Sequence, residues 1–225
     1  GSDADNKHEM TAKEIAREFV RTPSLILTYL GFAATVFATA AMLSWLPTFF
    51  NRIDGISMTQ AGMKSGAVML LAIIGSPIGG YLADKWLKRN IKGRLLFISI
   101  SSWTSCAIFF AAFVLASDAL RYPILLLGGI AAAAFVPGAS AVTQDVVHPG
   151  LRAISFSLCV IVQHMLGTAL GPVFVGAVSD SYGIAAAFML LPIAFFLAGV
   201  LFFAGSFFYE RDVAKVEKVK LEIEE

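Results

Sequence analysis

The chain has 225 residues, 57% of them hydrophobic, with a mean hydropathy of +0.76. Only 15% are charged and the net charge is +1, against roughly 25% charged in an ordinary soluble domain. A basic nucleic-acid-binding face is thereby excluded, and Cys106 and Cys159, each isolated in an apolar run, exclude a disulfide scaffold. The 17 Lys and Arg and 16 Asp and Glu are clustered: nine lie in 1–22, six in 84–94 and ten in 209–225. Long uncharged stretches between charged islands describe an all-α membrane protein with several transmembrane helices.

In chain order, residues 1–22 read as a cytoplasmic linker. Gly1-Ser2 without Met suggests a scar or a cut chain rather than a signal peptide. Within the linker, 11–22 place Ile15, Phe19 and Val20 on one face of a short amphipathic helix at the membrane surface. Six transmembrane segments are expected over 23–208, near 24–50, 59–83, 95–116, 122–146, 153–179 and 183–208, each long enough for a hydrocarbon layer of about 30 Å. Residues 209–225 form a mixed-charge cytoplasmic tail, helical at first and then frayed.

The first span carries Thr28, Thr35 and Thr39 at i, i+7 and i+11, one helical face. Ser140 and Gln144 share a face of the fourth span, and Ser157, His164 and Thr168 repeat the first spacing on the fifth. Each hydroxyl taken singly fits a bond to the carbonyl one turn back. Two stripes at the same spacing on two helices favour a shared water-accessible cavity. Lys64, near the end of the second span, fits snorkelling to the headgroups. Gly62–Gly66, Gly75–Gly79 and Gly167–Gly171 suit close helix packing, and Pro47, Pro77, Pro137, Pro172 and Pro192 suit kinks within spans.

Six spans put both termini on one side. That side would hold fourteen Lys and Arg, among them Lys85, Lys88, Arg89, Lys92 and Arg94, against Arg52 and Arg121 opposite and Lys64 within a span. This asymmetry predicts cytoplasmic termini in a multi-pass protein, expected in the cell (inner) membrane. Asp145 is expected to pair with Arg152 across a short turn.

The segment Gly80-Tyr81-Leu82-Ala83-Asp84-Lys85-Trp86-Leu87-Lys88-Arg89 joins a helix end to a short basic loop. It resembles the loop motif of the major facilitator superfamily, Gly-x-Leu-Ala-Asp-Arg-x-Gly-Arg-Lys, with Lys85 for the first Arg and Leu87 for the second Gly. Pro23-Ser24, Leu30-Gly31-Phe32, Phe37, Thr39 and the pair Trp45–Pro47 resemble the seventh helix of the Spinster transporters. His164-Met165-Leu166-Gly167, Pro172, Gly176 and Ser179-Asp180 resemble their eleventh helix. The resemblance implies the C-terminal six helices of a twelve-span carrier, with an N-terminal six-helix half as partner. It also implies a lysophospholipid or sphingoid lipid such as sphingosine-1-phosphate as substrate, moved by alternating access.

On that reading Thr28, Thr35, Thr39, Ser140, Gln144, Ser157, His164 and Thr168 face the substrate cavity. Gly80, Asp84, Lys85 and Arg89 form a conformational loop, with Asp84 paired to Lys85, Arg89 or a helix N-terminus. No cofactor or metal is expected, and proton coupling would fall mainly to residues outside this chain, since no Asp or Glu sits at mid-membrane depth. An enzyme is not expected: no Gly-x-Ser-x-Gly elbow, His-x-x-x-His or Cys-x-x-Cys set is present. A non-transporting six-helix scaffold is the alternative.

Overall fold

The computed structural model describes residues 10–224, and among these there is no strand. A short helix α1 (Ala12–Val20) opens with a capping box: Glu14 N–H donates to Thr11 Oγ1 at 3.4 Å and Thr11 N–H to Glu14 Oε2 at 2.8 Å. Phe19 buries against the bundle and Ile15 packs beside it, but Val20 is 73% exposed. The expected apolar face is therefore split: Phe19 anchors the helix and Val20 points away from the protein.

Six helices long and apolar enough to cross a membrane follow among the described residues. The first span is α2 (Pro23–Ile53), begun by Pro23 where a missing N–H costs nothing. The second is α3 (Met58–Leu70) with α4 (Ala72–Leu87), and the third is α5 (Gly93–Phe110) extended by a π turn, Ala111–Leu115. The fourth combines α6 (Asp118–Ala133) and α7 (Val136–Asp145). The fifth combines a 3-10 turn at Pro149–Leu151, α8 (Arg152–Val162), a π segment Gln163–Thr168 and α9 (Leu170–Tyr182). The sixth, α10, runs 41 residues from Ile184 to Glu224, well beyond the expected end of the span at 208.

Proline explains some irregularities and not others. A proline ring clashes with the carbonyl four residues earlier. For Pro137 that carbonyl is Ala133, where α6 ends, and for Pro172 it is Thr168, where the π segment ends. Pro47 and Pro192 lie inside uninterrupted helices. The π turn of the third span contains no proline; Ala116 N–H bonds the Ala111 carbonyl at 2.8 Å.

Both described chain ends lie at one end of the bundle, called here the terminal end; the opposite end is the far end. Near the far end, Phe49, Phe109, Phe113, Phe188 and Phe195 pack ring against ring, with neighbouring centroids 4.6–6.0 Å apart. Nearer the terminal end, Phe32, Leu95, Ile98, Phe135, Phe202 and Tyr209 form a second core. Helices surrounded by hydrocarbon gain little from burying more hydrocarbon, so they associate through close backbone contact and dispersion. Gly75 and Gly79 show this best. A Cβ at either would come within 1.9 Å of a carbonyl oxygen of the fourth span, of Ile130 or Ala134. Gly171 likewise meets the Phe37 carbonyl of the first span. Gly62 and Gly66 face open space instead, so that glycine pair is not used in contacts with described residues of this bundle.

Candidate cavity wall and charged networks

Between the first four spans lies a cavity of about 220 Å³. Phe32, Val36, Met42, Phe109 and Phe135 give it apolar walls, and Thr39 is the one hydroxyl on its lining. Thr39 is half-buried and donates within its own helix, to the Thr35 and Val36 carbonyls at 3.1 and 3.2 Å. The rest of its stripe lies elsewhere. Thr28 and Thr35 are buried in the bundle and donate to the Ser24 and Gly31 carbonyls at 2.7 and 3.1 Å. One helical face thus splits into an interior part and a cavity part, because a 31-residue helix crosses several neighbours along its length.

On the fourth span Gln144 Nε2 donates to the Ser140 carbonyl at 3.3 Å, and both residues are half-buried. On the fifth, Ser157, His164 and Thr168 are all exposed, and none makes a side-chain hydrogen bond with a described residue. His164 lies in the π segment, where its carbonyl accepts from Ala169 N–H at 3.0 Å. Their surroundings are apolar: Ile161, Met165 and Leu170 are exposed beside them. Within the membrane-crossing stretches, the second and fifth spans are only 22% buried, against 56% for the first.

At the terminal end Arg94 joins two acids. Its Nε and Nη2 donate to Asp84 Oδ1 at 3.1 and 2.8 Å, and its Nη1 donates to Asp145 Oδ2. Tyr209 donates its hydroxyl to the same Asp145 oxygen at 2.9 Å. This chain ties the second, third, fourth and sixth spans together. It corrects two expectations: Asp84 pairs with Arg94 rather than Lys85 or Arg89, and Asp145 with Arg94 rather than Arg152. The reason is reach. The loop after α4 folds back tightly, with Gly93 against the Trp86 backbone, so the first turn of α5 lies beside the last turn of α4. Lys85 lies instead over the Tyr81 ring at 5.8 Å, Arg89 is exposed, and Gly80 packs against Pro137.

At the far end Asp54 pairs with Lys64 at 3.6 Å and Arg121 at 3.4 Å, fastening the first, second and fourth spans. Lys64 also lies over the Phe50 and Tyr122 rings, at 5.5 and 5.0 Å. Lys64 thereby staples the far end of the second span to that of the first. Two further links had no signal in the sequence. Tyr29 donates to the Ser155 carbonyl at 2.6 Å, while Ser155 donates to the Thr143 carbonyl, joining the first, fourth and fifth spans. Asp212 Oδ2 accepts from Ser24 N–H and Oγ, at 3.1 and 2.6 Å, so a carboxylate 188 residues away caps the first span. Among the described residues no group of three or more His, Cys, Asp or Glu could hold a metal ion.

The sequence profile of the Major Facilitator Superfamily matches residues 2–165 and, in a second overlapping alignment, 55–224. Protein spinster homolog 3 of Danio rerio is 26% identical over 190 residues, covering 78% of this chain and 38% of that protein. The sphingosine-1-phosphate transporter SPNS2 of Xenopus tropicalis is 24% identical over 233 residues, covering 91% and 45%. The crystal structure of a bacterial homolog to the human lysosomal transporter Spinster, inward-facing and occupied, superposes with a TM-score of 0.77. It is 18% identical and covers 87% of this chain and 51% of that one, a likeness of fold. The chain spans less than half the length of these two curated relatives. Six apolar helices, a glycine-packed bundle and the charged loop after the second span agree with the profile match: the chain belongs to the Major Facilitator Superfamily, a family of membrane transporters and not of enzymes.

Proposed function

We propose that this chain is the C-terminal six-helix half of a carrier for an amphipathic lipid-like substrate, working by alternating access against an N-terminal half. The observation that carries this reading is the pairing of low burial with unpartnered polarity on the fifth span. Hydrocarbon offers no partner to Ser157, His164 or Thr168, so such groups belong on a surface met by water, substrate or another protein. The cavity supports the same reading. At about 220 Å³ it is smaller than the roughly 300 Å³ at which pockets for drug-sized ligands begin. One half then supplies one wall, apolar for a chain and with Thr39 as its polar point. The substrate class of this reading is a lysophospholipid or a sphingoid lipid such as sphingosine-1-phosphate, and the name of the SPNS2 relative supports the sphingoid lipid.

Charged staples at both ends favour movement of the half as one body, so the change of access occurs between halves. In that motion Asp84 is the latch: Arg94 engages Oδ1, while Oδ2 accepts no bond from a described residue and is free for a donor of the other half. Both termini would then be cytoplasmic in the cell membrane, following the excess of cations at the terminal end.

The test is uptake by the complete two-half protein in proteoliposomes, against a panel of lysolipids, with and without a pH gradient. His164→Gln keeps a donor but cannot carry charge. Its apparent affinity for phosphate-bearing substrates should fall about tenfold, the worth of one charged contact, or its pH profile should flatten. Normal uptake with an unchanged profile would remove His164 from the substrate path, and absence of uptake for every lipid would favour the scaffold.

A further inference from the structure

Where α1 turns into the first span, the extended sixth span passes alongside and encloses a pocket of about 510 Å³. Arg21, Arg211 and Lys215 line it, with Asp212 and Ala214. Two acids neutralise part of this charge. Glu18 holds Lys215 at 2.8 Å, and Asp212 Oδ1 lies 3.3 Å from Arg211 Nη2. The other oxygen of Asp212 is committed to Ser24, and the Arg211 side chain remains 64% exposed. Arg21 makes no ion pair with any described residue. Three cations against two committed acids leave a net positive site: Arg21 is unpaired among the described residues, and Arg211, which gives Nε and Nη2 to Asp212 Oδ1 at 3.4 and 3.3 Å, keeps the rest of its guanidinium for a ligand.

Its depth says what kind of ligand. The sixth span carries no charge from Ile184 to Tyr209. Phe203 and Phe207, 40% and 63% exposed, stand on its outer surface below the pocket, and Phe208 packs under Arg211 with 5.5 Å from ring centroid to guanidinium. Phe207 and Arg211 are four residues apart, and Phe208, Arg211 and Lys215 follow i, i+3, i+7, so one helical face passes from aromatic rings to cations within a turn or two. Exposed Val20 beside Arg21 repeats that boundary on α1. An outward apolar surface topped by cations matches a lipid, its chains along the rings and its phosphate at the guanidinium groups.

We infer that this pocket binds the phosphate headgroup of an acidic membrane phospholipid, on the outer surface of the bundle and apart from the cavity between the first four spans. The lipid bridges α1, the start of the first span and the juxtamembrane part of the sixth. The inference does not depend on what the carrier transports.

Native mass spectrometry of the complete two-half protein in detergent, titrated with phosphatidylglycerol or phosphatidylcholine, tests it. Phosphatidylglycerol should be retained preferentially, and Arg21→Gln/Arg211→Gln should weaken its binding about tenfold. Lys13→Gln/Lys88→Gln makes the same change of charge at the same end of the bundle, away from the pocket, and should bind as wild type. Arg21→Gln alone breaks no ion pair with a described residue and should still weaken binding a few-fold, which separates ligand loss from any unfolding caused by exposing Asp212. Equal binding in wild type and the Arg21/Arg211 variant, or equal loss in the Lys13/Lys88 variant, would overturn the site. Displacement of the lipid by millimolar inorganic phosphate would assign the pocket to soluble phosphate and overturn the lipid reading.

Discussion

The first and second spans are similarly hydrophobic, yet they are different objects. The first is an unbroken 31-residue helix, 56% buried over its crossing stretch. The second is interrupted at Leu71 and is 22% buried. One holds this bundle together; the other gives one face to the bundle and keeps one free. Gly75 and Gly79 lie against the fourth span, whereas Gly62 and Gly66 meet nothing within 4 Å. Identical Gly-x-x-x-Gly spacing therefore serves a contact inside the half at one place and an open surface at the other.

The largest expected effect breaks that contrast within one span. Gly79→Val drives a side chain into the Ala134 carbonyl, and backbone in a packed seam has nowhere to go. The cost should be about 3 kcal/mol or more, seen as loss of monodisperse protein in detergent. Gly62→Val should leave the thermal midpoint of the isolated chain within a degree or two of wild type, because no described atom opposes the new side chain. If Gly62→Val destabilises this chain as much as Gly79→Val, the division into a closed and an open face is wrong. If it leaves the chain stable but weakens association with the N-terminal half, the open face is the surface between halves.

A smaller effect tests whether the terminal end is held as one piece. Arg94→Gln removes both charged contacts of Asp84 and leaves Asp145 with Tyr209 as its donor. Breaking a fully buried pair from one side costs about 3–5 kcal/mol. The Arg94 and Asp145 side chains are 17% and 28% exposed, which lowers the expected loss to about 2 kcal/mol. Arg94→Gln/Asp145→Asn should recover part of it, since the stranded charge goes too. Additive losses in that double variant, measured by thermal unfolding in detergent, would mean that the two residues do not act together.

What the sequence could reveal followed from periodicity and solvent. Uncharged length marked the six spans, because hydrocarbon penalises charge within them, and an even number of spans put both chain ends at one end of the bundle. Pro137 and Pro172 marked two irregularities, since a proline ring acts on its own helix. Partners across spans were not legible in the same way. Nothing near Ser24 indicates Asp212, and nothing near Tyr29 indicates Ser155, because these contacts depend on how helices cross. The same limit explains the divided threonine stripe: spacing fixes which residues share a helical face, but not which neighbour that face meets at each level. Val20 illustrates it at the surface, sharing a predicted apolar face with Phe19 yet pointing outward.

The smallest expected effect follows from that divided stripe. Thr35 is 1% exposed with its hydroxyl given to Gly31, whereas Thr39 is half-buried on the cavity wall. A back-bonded threonine hydroxyl adds little to a helix whose carbonyl already has a backbone donor, so Thr35→Val should change stability by less than about 0.5 kcal/mol. Val36, one position round the helix from Thr35 and outside the threonine stripe, lines the cavity as well. In a background lacking Cys106 and Cys159, cysteines at Val36 and Thr39 should therefore react with a small water-soluble thiol reagent, and one at Thr35 should stay protected. Reaction at Thr35 equal to that at Thr39 would mean that the whole stripe meets water at some stage of the transport cycle. Protection at all three would mean that the cavity is sealed, and the search for the polar path would then move to Ser157, His164 and Thr168 on the exposed fifth span.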